Sequence, residues 1–174
     1  MKKFLILFIS AGMLLFSSCN SLAPVENFDE DVALKKAKMV KSFKAHLSGD
    51  QEVPPAETNA NGQVNFKMSK DGDALHFKLI VANINDVFAA HIHLAPEGIN
   101  GPVVVALYTS GLIAGQTNGI LAEGVITAEN LVGPLSGETL DDLISELEAG
   151  NAYVNVHTSV YRGGEIRGQI SSNN

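Results

Sequence analysis

Two histidines stand one residue apart in A-A-H-I-H-L, as His91 and His93, and a third, His157, lies in Y-V-N-V-H-T. In a strand, side chains two apart share a face and the one between points the other way. His91 and His93 would then project together, with Ala90, Ile92 and Leu94 on the core face. The same rule puts Val154 and Val156 in the core and Tyr153, Asn155 and His157 opposite. In G-E-I-R-G-Q-I, Ile166, Gly168 and Ile170 face the core, while Glu165, Arg167 and Gln169 face away. If the three strands are neighbours, three imidazoles converge on one polar outer sheet face.

Imidazole is a natural ligand for copper and zinc. Three imidazoles with an open position suit a catalytic type of site better than a closed structural one. Asn155, Glu165 and Arg167 are candidates to support the ligands from behind. The alternative is structural: the histidines hydrogen-bond beneath the loop A-P-E-G-I-N-G-P and hold its backbone. His46 and His76 read as surface residues, His46 near the first strand and His76 on a polar strand face beside Lys78.

The elements that position these residues follow from periodicity. Val64, Phe66 and Met68 alternate with polar residues, as do Leu75, Phe77, Leu79 and Val81 beyond an Asp71-Gly72 turn. Further strands are expected near 42–48, 87–94, 103–109, 120–127, 152–158 and 164–171. Turn clusters separate them, including P-E-G-I-N-G-P, S-G-L-I-A-G-Q-T-N-G and R-G-G. The spacing predicts an all-β fold, an antiparallel Greek-key sandwich or barrel. One helix interrupts it, where Leu140, Leu143, Ile144 and Leu147 recur at helical spacing. Thr139 and Asp142 are placed to cap its start and Gly150 to stop it. The loop S-G-D-Q-E-V-P-P-A-E-T-N-A-N-G is expected to be a rigid connection stiffened by Pro54 and Pro55, with Glu52 a possible polar contact.

The first 18 residues have the layout of a secretory signal: Lys2 and Lys3, an apolar run from Phe4 to Phe16, then small residues. Cys19, the only cysteine, ends the segment in F-S-S-C, which resembles a bacterial lipoprotein processing box. Lipid attachment at Cys19 is therefore expected. Residues 19–41 would be the lipidated N-terminus and tether, and 42–172 the domain. The apolar run is short for a membrane-spanning helix, which takes about 20 residues. Without residues 1–18, ten basic residues face 19 acidic ones, a formal charge of −9. Such a surface does not attract phosphate backbones, so no nucleic-acid partner is expected.

Three stretches together resemble the CHRD domain family: L-S-G-D-Q-E-V-P-P-A-E-T-N-A-N-G, A-A-H-I-H-L-A-P-E-G-I-N-G-P-V-V-V-A-L and G-N-A-Y-V-N-V-H-T-S-V-Y-R-G-G-E-I-R-G-Q-I. The likeness runs from about Phe43 to Ile170. It implies an immunoglobulin-like β-barrel distantly similar to copper/zinc superoxide dismutase. In that enzyme an H-x-H strand and a later strand histidine bind copper, which His91, His93 and His157 resemble. The departures are specific. No bridging histidine follows N-G-P-V-V-V, and no histidine and aspartate set for zinc is present. There is no disulfide, and Arg162 and Arg167 only lie near the place of the dismutase arginine. The resemblance thus gives dismutase activity little support and leaves a three-histidine copper-type site open.

No Ser-His-Asp set, nucleophile elbow or phosphate loop appears, so hydrolase and nucleotide-binding classes have no support. The expectation is a non-enzymatic binding or envelope protein, lipid-anchored on the extracytoplasmic side of a bacterial cell envelope. Its alternative is a copper- or zinc-binding protein using the three histidines, with a redox enzyme behind both. The residues name no protein or small-molecule partner. Replacing Cys19 with serine is expected to abolish membrane attachment. Mass spectrometry of the mature N-terminus checks this: a diacylglyceryl-modified Cys19 is the predicted species, and an unmodified N-terminus beyond it contradicts it.

Overall fold

The computed structural model describes residues 41–173. The signal, Cys19 and nearly all of the 19–41 tether lie outside them. The described residues form eight strands: β1 Ser42–Ser48, β2 Asn61–Met68, β3 Leu75–Leu94, β4 Val103–Tyr108, β5 Ile113–Ile126, β6 Ala152–Thr158, β7 Ile166–Gln169 and β8 Ser171–Ser172. A helix, α1 Leu140–Glu148, precedes β6. All the strand pairings are antiparallel.

β3 closes the barrel. Its first half pairs with β2 and its second half with β6. The path β2–β1–β7–β6 joins the two halves into a ring. The period-two pattern buries Val64, Phe66, Leu75, Leu79, Val81, Ile92, Val154, Val156 and Ile166 in one apolar core. β3 was expected as two strands and is one, 20 residues long. It bends at Asn83 and Asp86, which take left-handed φ values of 56° and 52°. Such values suit short polar side chains better than branched ones.

The bend also explains why S-G-L-I-A-G-Q-T-N-G is not the turn cluster expected from its composition. Only its start is a turn, and from Ile113 the chain is strand β5 against β3. The Asn118 side chain accepts from the Asn83 N–H at 2.8 Å, and the Asp86 carboxylate accepts from the Gly115 N–H at 2.7 Å. Gly115 and Gly119, at φ 81° and 112°, let β5 follow the irregular register.

α1 forms as its pattern predicts. Thr139 caps it, accepting from the Asp142 N–H, while the Asp142 carboxylate accepts from the Thr139 N–H at 2.9 Å. Leu140, Leu143, Ile144 and Leu147 are all buried, and Gly150 ends the turn at φ 71°. No helix of the described residues is long and apolar enough to cross a membrane.

Ile92 lies beneath the histidine pair and is fully buried. Ile92→Ala is expected to cost about 2–5 kcal/mol, because it removes apolar burial and leaves a cavity. Urea unfolding of the purified protein checks this, and an unchanged midpoint would remove Ile92 from the core.

Candidate metal centre

β3, β6 and β7 are neighbours in register. His91 lies opposite Asn155, and Asn155 opposite Arg167; His93 lies opposite Tyr153, and Tyr153 opposite Gln169. The polar face expected from alternation therefore exists. It is not an open outer surface, however. Asn155, Arg167, His157, Glu165 and His93 are buried, whereas His91 is half-buried. Loops roof the face. Thr58 donates to Glu165 at 2.7 Å, Asn100 donates to the Val53 carbonyl at 2.8 Å, and Tyr161 donates to the Glu57 carbonyl at 2.8 Å. Alternation places a residue on a face but says nothing of what covers that face.

Under the roof the three imidazoles meet. One ring nitrogen from each of His91, His93 and His157 lies within 4.8 Å of the others. His93 Nδ1 is 2.9 Å from the Gly101 carbonyl, and His157 Nδ1 is 3.0 Å from the Arg162 carbonyl. A carbonyl only accepts, so each Nδ1 carries the proton and each Nε2 carries a lone pair. His91 Nδ1 then faces His157 Nε2 at 3.1 Å. His93 Nε2 is buried and has no partner. Two imidazoles fixed by carbonyls, with their lone pairs inside, are what a metal-binding histidine needs from its surroundings.

Electrostatics favours neutral rings. Burial holds all three histidines below their usual value, and for His91 and His157 the neighbouring imidazole lowers it further. His157 falls to about 4, although its bond to Arg162 opposes the shift. Neutral imidazole is the metal-binding form. The rings need to close by roughly an ångström to share an ion with bonds of about 2.0–2.1 Å. The set fits copper or zinc in donor type and protonation.

Gly101 permits this arrangement. A side chain there would collide with the Leu94 carbonyl, so only glycine lets the loop approach β3 closely enough to meet His93. The same residue donates its N–H to the Tyr153 hydroxyl at 3.2 Å. Tyr153 stacks on His93, with ring centres 4.9 Å apart and planes within 11°.

The residues expected to support the ligands stand on the right face but bond elsewhere. Asn155 donates to the Gly163 carbonyl at 3.3 Å and to Glu52 at 3.4 Å. Glu165 accepts from Thr58 and from Thr158. Arg167 stacks over Tyr153 at 3.9 Å and donates to Asn100 and to the Ile99 carbonyl. Backbone carbonyls orient the imidazoles instead. Sequence reasoning does not locate such groups, since every residue carries a carbonyl. His46 and His76 are exposed, as expected.

Glu52 and Tyr153 are the residues that pattern reading underrates. The loop that carries Glu52 is more than a connector, because it buries that carboxyl against Asn155. Burial raises the Glu52 pKa to about 7, against the opposing pull of Arg167. Q-E-V-P-P offers Glu52 as a polar contact but holds no signal for its burial.

A family model described as CHRD domain matches residues 43–170. The chain belongs to the CHRD domain family. Within the CHRD domain, all three histidines and both orienting carbonyls fall inside the matched range. No curated protein matches the chain.

The shifts predict an acid limb in the stability of the metal-free protein. The histidines of the unfolded chain take up protons near 6.5, and those of the folded chain only at lower pH. Stability from these groups is full above about pH 6.5 and falls as the pH drops toward 4, by an amount on the order of 3 kcal/mol for His157. Glu52 acts oppositely, since a raised carboxyl pKa stabilises at low pH and loses that contribution as the pH rises through about 7. Denaturant midpoints from pH 4 to 8 check both effects. The Glu52 window, from 4.5 to about 7, overlaps that of the histidines with the opposite sign, so Glu52→Gln should steepen the acid limb. An acid limb absent from the variant would contradict the histidine assignment.

Proposed function

We propose that the domain binds one copper or zinc ion through His91 Nδ1, His93 Nε2 and His157 Nε2. The carrying observation is the buried, unpartnered Nε2 of His93, beside two other ring nitrogens. A purely structural role accounts for His91 and His157, which satisfy each other at 3.1 Å. It leaves the His93 lone pair buried without a partner, which is costly. A shared cation relieves that cost and uses all three lone pairs, once the His91 proton moves to its other nitrogen.

Such an ion would act as a Lewis acid with a free coordination position. The protein's own residues hold the three rings neutral and oriented, and the roof keeps water from most of their surface. The half-buried His91 marks the side from which an exogenous ligand would approach. We read the protein as a metal-binding rather than a catalytic one. In this reading the lipid on Cys19 tethers it to a membrane, on the extracytoplasmic side of a bacterial cell envelope.

Titration calorimetry of the mature protein, purified without a polyhistidine tag, tests the proposal. Copper(II) or zinc should bind with one ion per chain. Alanine at His91, His93 or His157 should weaken binding by more than about 100-fold, beyond the usual effect of a residue behind the ligands. His46→Ala and His76→Ala should leave it unchanged. Binding should persist at pH 6.5 and fail as the pH approaches 4, because protons then compete for His157. Histidine-independent binding, or none, would leave the structural role as the correct one.

A further inference from the structure

A second feature of the same sheet face is built from residues other than the three histidines. Arg167 is 2% exposed and the largest of the fully buried side chains. Its Nη1 donates to Asn100 Oδ1 at 2.9 Å and its Nη2 to the Ile99 carbonyl at 3.0 Å. A guanidinium has five N–H donors, and these bonds account for two. Both acceptors are neutral. Among the described residues, ion pairs within 4.0 Å join only Lys41 to Glu148 and Lys78 to Glu123. A cation this deep without an anion in contact is costly.

Arg167 lines a cleft of about 360 Å³, together with Glu52, Asp50, Glu97 and Gln169. Two buried oxygens in this lining have no partner: Glu52 Oε1 and Gln169 Oε1. Gln169 Nε2 donates to the Ala95 and Gly150 carbonyls, which fixes Oε1 as the free acceptor. Asp50 and Glu97 are exposed at the rim. The walls thus offer one buried planar cation, one unused amide acceptor, one buried carboxyl and two rim carboxylates.

This donor and acceptor set is bipolar. The guanidinium fork matches a carboxylate. The free Gln169 oxygen and the rim acids match an ammonium group. A phosphate or a simple dianion would satisfy Arg167 but would meet the rim carboxylates as like charge. We propose that the cleft binds a small zwitterion, of the class of free amino acids, with its carboxylate on Arg167 and its ammonium toward Gln169 and the rim. Its shape supports this, since small-molecule sites occupy clefts of about 300–1,000 Å³. The raised pKa of Glu52 is consistent with a carboxyl that can stand near the ligand carboxylate without repelling it.

The test uses the mature protein with glycine, 4-aminobutyrate, acetate and ammonium as probes. Side-chain NMR of the arginine Nε–H groups reports the guanidinium directly, and calorimetry reports affinity. One of the two zwitterions should saturate a shift at Arg167, and acetate and ammonium should each bind more weakly. Arg167→Gln should abolish the effect. Because that residue is buried and its loss can unfold the domain, Asp50→Asn and Glu97→Gln provide the second test at exposed positions. Each should weaken the zwitterion by about two- to fivefold, the worth of an exposed ion pair, and leave acetate unchanged. No saturable shift with either zwitterion up to about 50 mM would overturn the proposal. So would acetate binding as tightly as the zwitterions, or rim variants without effect.

Discussion

Strand β6 is buried on both of its faces, and the rest of the polar architecture depends on that fact. Val154 and Val156 lie in the barrel core, while Tyr153, Asn155 and His157 lie under a roof of loops. Buried polar groups must be paired or they destabilise the fold. The loops therefore do more than connect strands, because they supply the partners. Gly101 and Arg162 offer carbonyls to two imidazoles, and Thr58 reaches across 107 residues to Glu165. Without β6 at the centre of the sheet, none of these bonds would have a reason to form.

The same demand organises the roof in two halves. On one side the carbonyls of Gly101 and Arg162 turn His93 and His157 so that their free nitrogens meet beside His91. On the other side Arg167 holds the loop through Ile99 and Asn100 and stacks on Tyr153. Tyr153 joins the two halves, with a guanidinium on its ring and His93 stacked with it. Gly164 completes the closure. Any side chain there would strike the Asn155 amide and the Glu52 carboxyl, so its left-handed backbone and missing Cβ are both required.

Much of the fold was legible because strand alternation and helix spacing are local signals. His91, Ile92 and His93 show it most clearly: two polar side chains on one face, and a fully buried isoleucine on the other. Thr139, Asp142 and Gly150 were equally readable, since capping acts within one turn. Two things were not. The bend at Asn83 and Asp86 depends on Asn118 and Gly115 in another strand, so the glycines of β5 read as a turn. Likewise, the burial of Glu52, Asn155 and Arg167 comes from loops distant in sequence, and alternation cannot report a roof. The convergence of three histidines was readable as a condition on strand adjacency; the register of β3 with β6 meets it.

A metal ion bound as proposed would take three imidazole nitrogens and no other side-chain atom. X-ray absorption at the zinc or copper edge of the metal-loaded mature protein examines that shell directly. A nitrogen shell at about 2.0–2.1 Å is expected for zinc, with the outer-shell scattering of three imidazoles. Replacing His93 with alanine should remove one imidazole from it. An oxygen-dominated shell, or one imidazole or none in the unaltered protein, would rule out the three-histidine site.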